Sequence, residues 1–247
     1  MRILGIDTAT PTASAALIQD GEILAEEIHL SRQSARHPQI INPKAHHAEV
    51  ILPLIEAVLS AASASLQNLS GLAVSIGPGS FTGLRIGVST VKGLAYGLGI
   101  PVVGVSTLLA NAARVNDFDG LICSLLDARK SEVYAALFRR NGTALTRLTE
   151  DQAEGIADVT AELIWKFNGA ESCLFIGDGS TAYATSLIDA LGDRAILRSG
   201  DSSPSMASAV AFLAAKRLKA GGEYNLGSLA PVYLRPSEAE LKRRNLA

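Results

Sequence analysis

The beginning of the chain consists of short apolar runs separated by polar turns. Residues 2–7, 13–18 and 22–28 predict three strands, because runs of this length bounded by turn residues are typical of a packed sheet. The first strand ends in an acid, Asp7. The pattern therefore predicts that the chain opens with an antiparallel strand unit.

Helical spacing of the apolar residues follows this unit. It extends over about 45–62, with Pro53 inside the run, and again over 81–98. Proline removes an amide hydrogen and disturbs the preceding turn, so the first helix is expected to kink at Pro53 or to start close to it. Short strands are predicted at 72–76 and 102–105, on either side of the second helix.

The second half of the chain repeats this opening. When Asp127 is placed on Asp7, residues 135–137 fall on 15–17 without a gap, and both triplets read Ala-Ala-Leu. A period of about 120 residues is too long for a solenoid and predicts two related lobes. Chance similarity of two strand pairs is the alternative.

Together these patterns predict an α/β protein of two lobes, each with a mixed sheet flanked by helices. The expected lobes are 1–105 and 106–203, and the segment 204–235 is expected to pack back on the first. The elements predicted in the second half are strands at 121–127, 132–139 and 173–176, helices at 158–167 and from Ser203 to Lys219, and an extended segment at 230–235.

Composition narrows the functional classes. Hydrophobic residues make up 48% and charged residues 19% of the 247 positions, which excludes a disordered chain. A net charge of -2 and 5% aromatic residues give no strong field or stacking surface for nucleic acid. Cys123 and Cys173 fit no metal or disulfide spacing and are expected to be buried thiols. With no signal peptide or membrane span in the pattern, a cytoplasmic location is expected.

Two strand ends carry residues that could bind a phosphate or a metal-bound water. Asp7, Thr8 and Thr10 supply a carboxylate and two hydroxyls in a tight turn, although the same groups often bond only to their own turn. Asp127 repeats the pattern in the second lobe, where an ion pair with the nearby Arg129 is the alternative. A cleft between the lobes would be lined by Asp7, Thr8, Thr10, Asp127, Gly177, Asp178 and Gly179.

The run from Gly77 to Gly83 joins a strand to a helix through glycines. It lacks the Gly-Lys-Ser/Thr ending of a phosphate-binding P-loop, and Ser80 is a plausible helix N-cap. The helix that follows has a stripe of small residues beside its apolar stripe. Each helical glycine costs about 1 kcal/mol relative to alanine, so a closely packed neighbour is expected to offset the cost. The predicted partner interface is Val50, Leu54, Val58, Gly83, Gly87, Thr90, Leu94 and Gly97.

No metal site is predicted from the histidines. His46 and His47 are adjacent and would project about 100° apart on a helix, whereas zinc ligands on a helix are usually four residues apart. A solvated helix start is the better interpretation of this pair.

Four runs carry a resemblance to a known family. They are MRILGIDTAT, SIGPGSFTGLRIGVSTVKGLAYGLGIPVVGVSTL, LLDARKSEVYAALF and PVYLR. They closely resemble the TsaB (YeaZ) family, and the GPGSFTGLRIG run is specific to it. The resemblance implies the two-lobed actin-like, hexokinase-like and Hsp70-like (ASKHA) fold.

The resemblance further implies a non-catalytic subunit of the bacterial machinery that attaches a threonylcarbamoyl group to tRNA adenosine. Members of the family pair with a catalytic paralogue, TsaD, and the ATPase TsaE joins them, so that tRNA is contacted indirectly through the complex. A homodimer through the same face is the alternative when the paralogue is absent. In the family the paralogue contact is made by helices that map to about 45–62 and 81–98.

The catalytic paralogue has an HxxxH metal motif after the strand that matches 102–105. Here the matching stretch runs from Gly104 to Asn111 and contains no histidine, which implies that metal-assisted transfer is not available to this chain. No cofactor is predicted, with a nucleotide at the cleft or the subunit interface as the alternative. The rival hypothesis is a nucleotide-using phosphotransferase or ATPase of the actin-like superfold. The loop at 31–45 is longer than is usual for the family.

Overall fold

The computed structural model describes residues 1–29, 47–166, 171–198, 205–222 and 224–236. The chain divides into two compact units, Met1–Ala110 with Ser203–Val232, and Asn111–Ser202 with Tyr233–Ala247. The boundary after Ala110 lies within a helix that the sequence pattern did not predict, whereas the expected boundary followed residue 105. The predicted long loop at 31–45 lies outside the described residues, as does His46.

The elements of the chain are as follows. The strands are β1 Arg2–Asp7, β2 Ala13–Gln19, β3 Glu22–His29, β4 Gly71–Gly77, β5 Val102–Ser106, β6 Gly120–Arg129, β7 Glu132–Asn141, β8 Ala144–Arg147, β9 Gln152–Gly155, β10 Cys173–Ile176 and β11 Ala195–Leu197. The helices are α1 His47–Ala61, α2 Phe81–Leu98, α3 Thr107–Ala113, α4 Ile156–Lys166, α5 Asp178–Ala182, α6 Ala184–Leu191 and α7 Met206–Lys219. Every strand and helix predicted from the pattern is present, within a few residues at its ends.

The first unit is built on a five-stranded sheet in the order β3-β2-β1-β4-β5. The first three strands pair antiparallel, and β4 and β5 join them in parallel. Alternate residues of β1 face opposite sides, so Leu4 packs with α1 and α2 while Ile3 packs with α7. The approach of α7 is close at Gly5, where a β-carbon would overlap the carbonyl oxygen of Ala207.

The second unit has a sheet of the same strand order. Its order is β11-β10-β6-β7-β8, with β9 also paired to β7, so β6, β7, β8, β10 and β11 correspond to the five strands of the first sheet. The predicted repeat is therefore confirmed at the level of topology. The register differs by one residue, because Asp7 pairs with Ser14 whereas Asp127 pairs with Val133. Helices α4 and α6 cover one face of this sheet through Val159, Leu163, Leu187 and Leu191.

Within the described residues, no helix has the length and apolar character needed to cross a membrane. The two thiols lie in the second unit, where Cys123 of β6 and Cys173 of β10 are both buried and free.

Candidate functional site

The turn after β1 uses its polar groups within the first unit. The Thr10 hydroxyl donates to Asp7 Oδ2 at 2.7 Å, and the Ala9 amide donates to Asp7 Oδ1 at 3.4 Å. The Thr8 hydroxyl donates to the carbonyl oxygen of Gly83 at 2.7 Å. The first group of sequence-predicted residues is thus brought together, but its hydroxyls already have protein partners.

Asp7 itself is completely buried. Burial raises its pKa above the usual value of 3.8, and hydrogen bonds from the Thr10 hydroxyl and the turn amides oppose that shift. A buried carboxylate with a raised pKa occurs both at functional sites and at structural turns. The hydrogen bonds within the turn account for both carboxyl oxygens without a ligand.

The glycine-rich loop before α2 packs directly on this turn. The Ser80 amide donates to the carbonyl oxygen of Ala9 at 2.8 Å, and a β-carbon on Gly79 would overlap the same oxygen. Ser80 is the N-cap of α2, as predicted, because its side chain accepts the Gly83 amide at 3.2 Å. The loop therefore anchors the helix to the end of β1.

Two glycines of the predicted partner interface face this turn. A β-carbon on Gly83 would overlap the Thr8 carbonyl oxygen, and one on Gly87 would collide with Thr8 Oγ1. Both residues are buried within their own unit. The closely packed neighbour that offsets the helical glycines at these two positions is a strand-end turn of the same chain, not a helix. Gly83 and Gly87 therefore cannot belong to an exposed docking surface.

The predicted residues of α1 also point inward. Val50, Leu54 and Val58 are buried in the core beneath α1 and α2. The apolar stripe used to choose them is the stripe that covers the helix's own sheet. On α2, Thr90 and Leu94 are half-buried, and Gly97 is exposed with no described atom within 4 Å of its β-carbon position. Of the eight predicted interface residues, these three reach the surface.

The exposed sides of α1 and α2 carry a different set of residues. Tyr96 is 84% exposed and Leu52 is 53% exposed, which is unusual for large apolar side chains. Gly93, three residues before Tyr96 on α2, is also exposed, with no described atom within 4 Å of its β-carbon position. We use the name docking face for the exposed residues of these two neighbouring helices taken together. It consists of Leu52, Glu56, Ser89, Gly93, Tyr96 and Gly97.

A single signal in the sequence could have found this face. Leu52 and Tyr96 are large apolar residues that fall outside the core stripes of their helices. Such positions are normally polar on a monomer. The prediction followed the stripes and missed the residues that break them.

The C-terminal end of β6 and the start of α5 bring together the second predicted group. The Asp127 carboxylate accepts the Arg129 amide at 2.8 Å and the Tyr183 hydroxyl at 3.1 Å. The Asp127 amide donates to Asp178 Oδ1 at 3.2 Å. Loss of solvent raises the pKa of Asp178, and the neighbouring Asp127 charge raises it further. The arrangement is a small acidic cluster at the start of α5.

The two glycines beside Asp178 serve close packing. A β-carbon on Gly177 would overlap the carbonyl oxygen of Leu125, and one on Gly179 would crowd Leu125 and Leu126. They let α5 lie directly on β6. The prediction that this group and the Asp7 group line one cleft stays a prediction.

The stretch that matches the paralogue's metal motif lies at the end of β5 and in α3. Thr107 and Asn111 are two polar residues of this stretch that lie four positions apart, as the two histidines of an HxxxH motif do. Both are buried. Asn111 Nδ2 donates to Ser124 Oγ at 3.0 Å. Neither side chain is a usual ligand of zinc or iron. In the described residues, no three histidine, cysteine or acidic side chains come together as a metal site.

Comparisons with known proteins identify the family of the chain. The sequence model of the TsaD family, tRNA N6-adenosine threonylcarbamoyltransferase, matches residues 22–242. The tRNA threonylcarbamoyladenosine biosynthesis protein TsaB of Bacillus subtilis (strain 168) is 33% identical over 242 residues, 98% of this chain and 97% of that protein. TsaB of Escherichia coli (strain K12) is 31% identical over 243 residues, 97% of this chain and 96% of that protein. YeaZ from Pseudomonas aeruginosa superposes with a TM-score of 0.73 and 24% identity, covering 94% of this chain and 99% of that one.

Two units with the same mixed sheet order and flanking helices define a two-lobed protein of the ASKHA class. That class includes many unrelated activities, so the fold alone does not select one. The chain belongs to the TsaB (YeaZ) family, within the wider family that the TsaD model describes. Its relatives are named for a role in tRNA threonylcarbamoyladenosine biosynthesis.

Proposed function

We propose that this chain is a non-catalytic subunit of a tRNA threonylcarbamoyladenosine-forming complex and that it binds a TsaD-like catalytic paralogue through the docking face. The observation that carries the proposal is the exposure of the Tyr96 side chain, at 84%. On the same helix, Gly93 and Gly97 have no described atom within 4 Å of their β-carbon positions, which leaves space for a partner beside it. An exposed aromatic beside small residues is a typical anchor of a protein interface.

The non-catalytic role is supported by the residues at the motif positions. The stretch from Gly104 to Asn111, where the resemblance implies the paralogue's HxxxH motif, contains no histidine, and its Asn111 side chain donates to Ser124. A chain that keeps the fold but replaces both ligands would contribute a surface rather than a metal.

The remaining partners follow from the family. We propose that the complex also recruits a TsaE-like ATPase and that tRNA is contacted through the assembly. Without the paralogue, the docking face would pair with a second copy of this chain, because an apolar surface of this kind is rarely left in water.

A pair of matched variants tests the docking face. Gly93→Arg places a long charged side chain on the face, and Ala190→Arg places the same side chain on the exposed surface of α6 in the second unit. Each variant is passed with a tagged TsaD-like paralogue over a size-exclusion column. We expect the Gly93 variant to elute alone and the Ala190 variant to co-elute like the wild type. Co-elution of both variants with the paralogue would contradict the proposal.

A second variant measures how much the anchor contributes. Tyr96→Ala should weaken binding by about 2 kcal/mol, or roughly thirtyfold in Kd, if Tyr96 is a central contact. Titration calorimetry gives the Kd, and the thermal midpoint of the free chain should be unchanged because Tyr96 is largely exposed. In a modification assay with the paralogue and tRNA, the loss of activity should be restored at high subunit concentration.

A further inference from the structure

The N-terminal turns of α2 rest on one side chain of the turn after β1. Thr8 is completely buried, and its hydroxyl donates to the carbonyl oxygen of Gly83 at 2.7 Å. One helical turn later, the Cα of Gly87 lies against the same hydroxyl oxygen, so close that a β-carbon would not fit. The Thr8 side chain therefore sits between two glycines that follow each other along one side of the helix.

We propose that Thr8 is a positioning residue for the docking face: its hydroxyl fixes the placement of α2 on the first unit and so sets where Gly93 and Tyr96 are presented. This inference rests on the proposed function, because it concerns the same surface. Thr8 is completely buried and would not touch a partner.

The chemistry of the contact supports positioning rather than simple cohesion. In an α-helix the Gly83 carbonyl also accepts the amide hydrogen four residues later, so it keeps a partner when Thr8 is changed. The hydroxyl instead fixes the placement of α2, because it binds one particular carbonyl at one point along the helix axis. Glycines at 83 and 87 leave no side chains to interlock with the sheet at this point, so the hydrogen bond replaces that interlocking.

The contact with Thr8 and the docking face lie far apart along α2, so a small tilt at the contact becomes a large displacement at the face. Gly83 and Tyr96 are separated by thirteen residues, or about 20 Å along a helix axis. A tilt of about 10° at the start of α2 would move Tyr96 by roughly 3 Å, which is enough to misplace an anchor in its pocket.

The turn itself offers a matched control. The Thr10 hydroxyl donates to Asp7 Oδ2 at 2.7 Å and lies 3.0 Å from the Thr12 carbonyl oxygen, both within the turn. Thr10→Val therefore removes a hydroxyl from the same turn without removing a bond to α2. Thr8→Val removes the bond to Gly83 at nearly constant volume, and Thr8→Ser keeps it.

The first measurement uses the full-length chain without any partner. Spin labels are attached at Gly93→Cys on α2 and at Lys216→Cys on α7, both exposed positions of the first unit. Pulsed dipolar spectroscopy then reports the distribution of distances between them. We expect a narrow distribution in the otherwise wild-type chain, with Thr8→Ser and with Thr10→Val, and a shifted or broadened one with Thr8→Val. An unchanged distribution with Thr8→Val would overturn the proposal.

The second measurement is the Kd for a TsaD-like paralogue, taken by calorimetry well below the thermal midpoints of all variants and without labels. We expect Thr8→Val to weaken binding by about fivefold or more, while Thr8→Ser and Thr10→Val bind like the wild type. A purely structural role would lower the thermal midpoint of Thr8→Val and leave its Kd unchanged, and that result would overturn the proposal.

The two measurements separate this inference from the proposed function. If the wild-type chain does not bind the paralogue, the proposed function fails, and the spin-label distances still decide whether Thr8 positions α2. If Thr8→Val does not fold, Thr8→Ala takes its place, since it removes the same hydroxyl and leaves more space around Gly87.

Discussion

Gly83 of α2 and Thr8 of the turn after β1 are in such close contact that a β-carbon on the glycine would overlap the threonine carbonyl oxygen. Further along the same helix, Gly93 and Gly97 have no described atom within 4 Å of that position. One helix thus carries two kinds of glycine. The first kind lets the chain pack on itself, and the second leaves space at the surface.

Substitutions at the two kinds of glycine should have opposite effects on stability. Gly87→Ala should lower the free energy of unfolding by about 1–3 kcal/mol, because its methyl group would collide with Thr8 Oγ1. Gly93→Ala should raise it by up to about 1 kcal/mol, because alanine favours the helix and meets nothing. Urea unfolding of the free chain gives both values. Equal effects at both sites would contradict the difference in packing between the two glycines.

The buried carboxyl group of Asp7 should make stability depend on pH. Its pKa is raised by burial in the folded state, so the folded chain holds the proton more strongly than the unfolded chain does. Its contribution is therefore fully present below the unfolded pKa of 3.8 and is lost as the pH rises through the folded pKa. Asp7→Asn removes this dependence.

Unfolding of Asp7→Asn and wild type in urea, from pH 5 to pH 8, checks the sign. The stability of the variant relative to wild type should increase with pH and then level off above the folded pKa. Thr10, whose hydroxyl also lies 3.0 Å from the Thr12 carbonyl oxygen, can keep that bond in the variant. If the stability of the variant relative to wild type fell as the pH rises, the folded chain would be stabilising the charged form of the Asp7 carboxylate.

The two thiols should be inert in the folded chain. Burial raises the pKa of both Cys123 and Cys173 well above the usual thiol value, so little thiolate forms at pH 8. A chromogenic disulfide reagent should release no colour from native protein within minutes and two equivalents in denaturant. Rapid release of one equivalent from native protein would mean that one of the two strands opens readily.

Nucleotide binding through the first unit should be absent from the isolated chain. The hydroxyls of Thr8 and Thr10 bond to Gly83 and Asp7, and the glycine loop covers the turn. Calorimetry with Mg-ATP at micromolar protein should therefore give no heat of binding. Binding abolished by Asp7→Asn would support the rival phosphotransferase hypothesis, whereas binding abolished only by Asp127→Asn would assign it to the second unit.

The strand and helix pattern could be predicted from the sequence because burial alternates along strands and recurs every three to four residues along helices. The long elements, such as β1 and α2, follow from that rule. The short elements β8, β9, β11, α3, α5 and α6 do not, because so few residues carry too little periodicity to separate a helix from a turn.

The candidate interface could be assigned to α1 and α2 from their apolar stripes and from the family resemblance, but its residues could not be chosen from the pattern. Leu54 is apolar because it lies in the core, and a contact residue would be apolar for the same reason, since both leave water. Gly83 and Gly87 require a close neighbour, but sequence spacing does not say whether that neighbour belongs to the same chain. Only the position of Thr8 in space decides it.

Helix α7 lies near the end of the sequence and is synthesised late, yet it covers β1, the first strand. Its Ala207 carbonyl lies against Gly5 of that strand. During synthesis, the ribosome must therefore complete most of the polypeptide before β1 can be shielded on that side. Most of the intervening second unit emerges earlier and is free to fold first. A nascent chain stalled before Met206 should accordingly recruit chaperones to an uncovered sheet, whereas one released beyond Lys219 should not.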